Sequence, residues 1–353
     1  MPVNMDRRPT TPGQFGKIFP PDSQWLGKQA QGPILEPDLP IIDTHHHLWD
    51  RPNNRYLLEE FAADLGSGHK LVATVFAECH AMYRDAGPAE MRPVGETEFV
   101  AGIAAASENA CPTRVAAGIV GYADLGLGER VAPVLEAHIA AGGGRFRGIR
   151  YATGWDASEI IGNSRDIARP SLLREPRVRQ GLERLHALGL SFDAWVFHPQ
   201  LSDVIDVAAS FPDLNLIMGH AGGPLGYGPY AGKRDEVFSS WKASMTELAR
   251  HPNVSVKLGG MMMRLASFDY LAIDRPPSSA ELAEYWRPYI ETCIGLFGAE
   301  RCMFESNFPV EKMGTSYRAL WNAFKRITAG ASSAEKHLLY CGTAWRVYRL
   351  QPN

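Results

Sequence analysis

The segment IIDTHHHLWD (41–50) sets three histidines directly after an apolar run, in a chain with 11 histidines among 353 residues. Residues two apart on an extended strand share a face, so His45 and His47 project together and His46 projects to the other side. Two neutral imidazoles on one face suit a divalent cation, which takes nitrogen ligands at about 2.0–2.1 Å. Further along, other chemistry-bearing side chains end short apolar runs. They are Glu78 and His80 in VFAECH, Arg150 in RFRGIR, His198 in AWVFH, His220 in NLIMGH, Lys257 in VSVKL, and Glu305 with Asn307 in MFESN. His69, His138, His186, His251 and His337 fall in loops or on helical patterns and are read as structural or solvated.

The elements that must position these residues follow from the same runs. Eight segments, at 39–45, 70–78, 113–124, 144–152, 190–198, 215–220, 254–260 and 301–307, are short, apolar and rich in Val, Ile or Phe, as strands buried on both faces are. Helical spacing of apolar residues appears at 131–141, 171–188, 201–210, 238–250, 279–297, 315–328 and 334–348. Strand–helix alternation repeated about eight times predicts an α/β chain whose parallel sheet closes into a (β/α)8 TIM barrel. An open doubly wound sheet competes, but no GxGxxG follows an early strand. Active sites of such barrels form at the C-terminal ends of the strands, where the ionisable residues collect. Residues 1–39, rich in Pro, Gly and Gln, read as an N-terminal arm wrapped over the body or partly disordered, and 40–353 as the barrel.

Composition narrows the function class. The net charge of −3 gives no pull toward nucleic acid or an anionic membrane, and no run reaches the ~18 apolar residues of a spanning helix. The N-terminus lacks the apolar stretch of a signal peptide. Five scattered cysteines without a CxxC pair argue for a reduced, cytoplasmic protein with buried thiols, and against a cysteine-based zinc site. The expected partner is a small molecule; homo-oligomerisation stays open.

DTHHHLWD, FRGIR, the HPQ after a buried run, NLIMGHAGGP, VKLGG and MFESNFPV, in this order over roughly 40–348, resemble the amidohydrolase superfamily. The nearest group is its amidohydrolase-related branch of sugar-lactone and pyrone-dicarboxylate lactonases, itself related to metal-dependent decarboxylases. The resemblance implies a distorted TIM barrel. It matches His45 and His47 to the strand-one HxH pair, His198 to the strand-five histidine and His220 to the strand-six histidine. The strand-eight position carries an aspartate in a GSDxP pattern, as general base and, where metal is bound, as ligand. Here ESNFP stands at that place, with Asn307 for the aspartate and Glu305 two residues earlier on the same face.

An amide cannot take a proton from water, so the base is sought in Glu305, Glu78 or a histidine. Glu305 either replaces the aspartate or is structural. The metal ligands are expected to be His45, His47 and His198, holding zinc or manganese; a metal-independent site stays open as well. Arg150 suits a substrate carboxylate, since a guanidinium pairs with one bidentately. Lys257 either clamps an anion or is salt-bridged. Tyr151, Trp195 and Met261–Met263 are expected to line an apolar pocket. The long Gly-rich loop 219–238 is expected to act as a lid. Together these predict a hydrolase that opens a cyclic ester carrying a carboxylate. A carbon–carbon lyase acting on an aromatic or unsaturated acid is the alternative. A binding protein that has lost its base is a third reading, against which the retained histidines argue.

Overall fold

The structure, a computed structural model, describes residue 18 and residues 20–262 and 273–350. Met263 lies outside them. β1 (Pro40–His46) leads into an antiparallel hairpin of β2 (Trp49–Arg51) and β3 (Asn54–Tyr56). The main sheet continues through β4 (Lys70–Ala77), β5 (Arg114–Gly121), β6 (Phe146–Ala152), β7 (Ser191–Trp195), β8 (Leu216–Met218), β9 (Val254–Leu258) and β10 (Cys302–Phe304). Its eight strands run in the order β1-β4-β5-β6-β7-β8-β9-β10, every neighbouring pair parallel. Helices pack on the outside, so the chain is a TIM barrel.

Closure between β10 and β1 uses side chains and single backbone bonds. Asn307 N donates to His45 O at 2.8 Å, and His47 N to Phe308 O at 2.7 Å. Asp43, fully buried, accepts from Ser306 N (2.8 Å), Ser306 Oγ (2.6 Å) and Tyr317 OH (3.0 Å). The Asp of DTH and the Ser of ESN thus lock the first and last strands together, which fixes His45 and His47 relative to Asn307. At the opposite end, Ile42, Ala73, Ala117, Ile217 and Met303 pack against a plug of C-terminal residues that includes Tyr348 and Leu350.

The helices are α1 (Ser23–Leu26), α2 (Leu58–Leu65), α3 (Val94–Ser107), α4 (Ala132–Ala141), α5 (Pro176–Ala187), α6 (Leu201–Ser210), α7 (Arg234–Ala249), α8 (Ser279–Phe297), α9 (Tyr317–Ile327), α10 (Ser333–His337) and α11 (Thr343–Val347). α1, α2 and α3 were not expected. α2 is only 8 residues long, and the sequence of α3, VGETEFVAGIAAAS, is rich in Ala and Gly and shows no apolar stripe. The pattern at 171–188 resolves into a short 3₁₀ turn and α5, separated where Pro176 starts the helix. The pattern at 334–348 is broken between α10 and α11 by a π turn, Leu338–Gly342. Residues 20–39 of the expected arm are tied to α9 and the turn before it: Gln29 Nε2 donates to Thr315 Oγ1 (2.9 Å), and Asn322 Nδ2 to Pro33 O (3.0 Å). No helix among the described residues is long and apolar enough to cross a membrane.

Candidate active site

Three imidazoles and two side chains of the ESN segment meet at the barrel mouth. His45 Nε2 and His47 Nε2 lie 3.2 Å apart, and His47 Nε2 lies 3.2 Å from Asn307 Oδ1. The His45 and His220 rings are 4.7 Å apart between centroids. Behind them sits Glu305, fully buried. Its Oε1 accepts from His220 Nδ1 (2.7 Å) and His220 N (3.0 Å), and its Oε2 faces His45 Nδ1 at 2.9 Å. His46 turns away, stacked on Phe61 at 4.2 Å and bonded to Thr74 at 2.9 Å. His220 and Asn307 both hold left-handed backbone, with φ of 50° and 54°. Such strain in a non-glycine residue persists only where the surroundings impose it, and it collects at functional sites.

The VKLGG segment explains how His220 and Glu305 come so close to β9. A Cβ on Gly259 would stand 2.3 Å from Glu305 O, and one on Gly260 2.0 Å from His220 Nδ1. Glycine is the one residue that leaves room there, and Gly260 also has φ +66°.

Proton placement can be followed around the cluster. His47 Nδ1 lies 2.8 Å from Ala77 O and must carry a hydrogen to bond it, which leaves Nε2 with its lone pair. Arg150 Nη1, which can only donate, lies 3.4 Å from His45 Nε2, so that nitrogen also presents a lone pair and Nδ1 carries the hydrogen toward Glu305. Burial first, then Lys257 and the neighbouring histidines, holds His45 well below the ordinary imidazole range; burial and Arg150 do the same for His47. Burial alone would raise the Glu305 carboxyl, but His220, its hydrogen bonds and Lys257 outweigh that and hold it below the usual range. Glu305 is therefore an anion that accepts from His220 and stands 2.9 Å from His45 Nδ1, a charge contact without hydrogen-bond geometry.

Two donor sets could hold a cation. The first is His45, His220 and Glu305, which offer one atom each within 4.8 Å of one another. There, however, Glu305 already receives His220 through two hydrogen bonds. The second is His45 Nε2, His47 Nε2 and Asn307 Oδ1, in which acceptors face one another with no hydrogen between His47 and Asn307. Facing lone pairs repel unless a cation separates them, and contacts near 3.2 Å match ligands arranged around an ion at about 2.1 Å. The second set fits a divalent metal, with Glu305 and Ala77 O as the partners that orient its imidazoles.

A cavity of about 970 Å³ opens over this cluster, with His47, His220, Asn307, Trp195, Arg150 and Arg165 in its wall. Trp195 packs edge-on against His220 at 4.5 Å, as part of the expected apolar wall. Glu78 also reaches the wall but is not free to act as a base. Arg150 Nε bonds its Oε1 at 3.1 Å, Arg150 Nη2 its backbone oxygen, and Arg165 its Oε2. Burial alone would raise the carboxyl, yet Arg165 and Arg150 hold it below its usual range. Two guanidiniums share this one carboxylate, so the group retains one positive charge beside the histidines. Arg165 was not foreseen, because it lies in the loop after β6 and ends no strand. That loop's length and its position after the strand bearing Arg150 were the available signal.

Other expected site residues stand elsewhere. His198 is not drawn into the cluster: β7 ends at Trp195, and His198 follows in a 3₁₀ turn. Its Nδ1 accepts from Leu225 N at 3.2 Å and its ring packs on Tyr230 at 5.1 Å, so the expected trio with His45 and His47 does not form. Lys257 is buried with Asp193 at 2.9 Å, and Tyr348 OH bonds the same Asp193 oxygen at 2.6 Å; this pair lies inside the barrel, not in the cavity wall. Tyr151 is buried, donating to Asp124 Oδ1 at 2.9 Å, and it is Asp124 that reaches the cavity. Met261 and Met262 are core residues. His80 does line the cavity, stacked on Tyr83 at 4.2 Å. The first part of the loop 219–238 is buried rather than poised as a flap, and Tyr230 ties it to Asp156 at 2.7 Å.

A family model described as amidohydrolase matches residues 42–350. An uncharacterized protein of Sinorhizobium fredii, y4mH, is 33% identical over 335 residues, 89% of this chain and 99% of that one. The L-fucono-1,5-lactonase of Burkholderia ambifaria is 26% identical over 285 residues, covering 77% of this chain and 81% of that protein. The crystal structure of an amidohydrolase from Burkholderia multivorans with bound zinc superposes with a TM-score of 0.68 at 25% identity, covering 88% of this chain and 99% of that chain.

Proposed function

The chain belongs to the amidohydrolase family, and from that premise we propose that it opens a lactone ring by hydrolysis, acting on a small cyclic ester that carries an anionic group. The observation that carries this reading is the Glu305–His220 pair beside the facing nitrogens of His45 and His47. The lactonase relative supports the cyclic ester. The positive charge left over among Arg150, Glu78 and Arg165 supports the anionic group.

His45, His47 and Asn307 would hold a divalent metal, which when bound polarises a carbonyl oxygen and acidifies water. The other steps belong to the chain's own residues. His220 donates a hydrogen bond from Nδ1 to Glu305, and in the neutral ring this tautomer leaves Nε2 with the lone pair that a general base needs. It removes a proton from water as the water oxygen bonds to the ring carbonyl carbon. The same proton then goes to the ring oxygen as its bond to that carbon breaks, leaving a hydroxy acid. Glu305 acts through His220, favouring the imidazolium formed between these steps. This gives the carboxylate a positioning role instead of the base role expected for it. Trp195 holds the His220 ring from the side.

A panel of lactones with and without a carboxylate tests the reading, with acid release followed by a pH indicator and carbon dioxide followed in parallel. Ring opening without carbon dioxide supports it. Carbon dioxide release from aromatic acids, with every lactone left intact, would replace it by the lyase.

A further inference from the structure

Asn307 can present either end of its amide to His47, and the choice decides whether the cation site has an oxygen donor. His47 Nε2 carries a lone pair, so on local grounds the amide N–H should face it. The structure shows the opposite orientation. Asn307 Oδ1 faces His47 Nε2 at 3.2 Å, and Asn307 Nδ2 donates to Glu311 Oε1 at 3.3 Å. Glu311 is fully buried, and its Oε2 accepts from Met262 N at 2.8 Å. Glu311 N donates to Asn307 O at 3.2 Å, so the two residues share one turn of backbone. Glu311 does not reach the cavity and touches neither His45 nor His47 among its hydrogen bonds.

We propose that Glu311 is a positioning residue that makes Asn307 an oxygen ligand. By taking the amide N–H, it turns the amide oxygen toward the nitrogens of His45 and His47. The inference rests on the reading that these three side chains hold a divalent cation.

Zinc titration of the metal-stripped full chain by calorimetry, with melting temperature and circular dichroism as checks on folding, tests the proposal. In Glu311→Gln, the Gln oxygen keeps the Met262 N–H, so its amide nitrogen faces Asn307 and turns the Asn307 oxygen away from His47. The variant should fold and bind zinc about 10–100-fold more weakly, the usual effect of losing a partner behind a metal ligand. The double variant Asn307→Asp with Glu311→Gln restores every bond and makes the ligand a carboxylate, and should bind at least as tightly as the natural chain. Zinc affinity unchanged in Glu311→Gln, or a double variant no tighter than Glu311→Gln, would overturn the proposal. His47→Asn separates the two levels. If the natural chain binds zinc and His47→Asn does not, the cation site stands and Glu311 alone is on trial. If the natural chain binds none, the cation reading and this inference both fail.

Discussion

At the scale of single residues, side-chain alternation along a strand is the rule that made the site legible. It put His45 with His47 and Glu305 with Asn307, and the structure brings all four together. Past the strand ends it is no guide: Asn307, three residues beyond β10 and with φ of 54°, is held at His45 by its backbone hydrogen bond and not by alternation. His198 lies three residues past the end of β7, where alternation no longer says which way a side chain points. Depth along the barrel was also hidden. Lys257 lies on β9 itself, but below the mouth, where Asp193 neutralises it. Charge pairing decided the role of Arg150, since two of its nitrogens go to Glu78. In the proposed reaction, the charge that Arg150 and Arg165 leave after sharing Glu78 meets the substrate's anion. In Arg165→Gln, kcat/KM for an anionic lactone should fall about 10–100-fold, the worth of one charged hydrogen bond in a dry site. A neutral lactone of the same ring should change little. Equal losses on both substrates would make Arg165 a structural partner of Glu78 alone.

At the scale of elements, the eight strands were legible because each is a short apolar run closed by a polar or glycine turn. Three helices were not. α1 and α2 are too short to show a period, and α3 is rich in Ala and Gly and shows no apolar stripe to read. The turn after β9 shows how an element positions chemistry without supplying it. Gly260→Ala would place a methyl group 2.0 Å from the His220 ring nitrogen, at a backbone angle that alanine resists. The variant should lose at least about 10²-fold in kcat, because a displacement near 1 Å costs that much in a catalytic group, with a stability loss of about 1–3 kcal/mol. Normal turnover in a folded Gly260→Ala protein would mean that the His220 position is not critical.

At the scale of the whole molecule, stability is tied to carboxyls buried for reasons of architecture. Glu96, on α3, accepts from Cys79 N (2.9 Å) and Ala81 N (2.8 Å), and so anchors the loop that carries His80 into the cavity wall. Burial, reinforced by the charge of Glu78, raises its carboxyl from the ordinary 4.5 to about 7. Between those values the folded chain holds a proton that the unfolded chain has released. Its contribution to stability is therefore fully present below about pH 4.5 and is lost as pH rises through about 7. Glu96→Gln keeps an acceptor oxygen and removes the titration. It should match the natural chain near pH 4 and exceed it at pH 8, by about 3 kcal/mol at most. Parallel denaturation curves for the two proteins across that range would show that Glu96 does not titrate with folding. None of this was visible in the sequence, because it depends on which helix covers which loop.

In the proposed reaction, His220, held by Glu305, is the base that opens the lactone. The most direct measurement is the steady-state rate of His220→Asn and the natural chain on one lactone, both carrying the same measured zinc content. Removing a general base typically lowers the rate about 10²–10⁴-fold, so kcat should fall by that order while zinc binding and melting temperature stay near those of the natural chain. A zinc-loaded, folded His220→Asn protein that opens the lactone at close to the natural rate would contradict the claim.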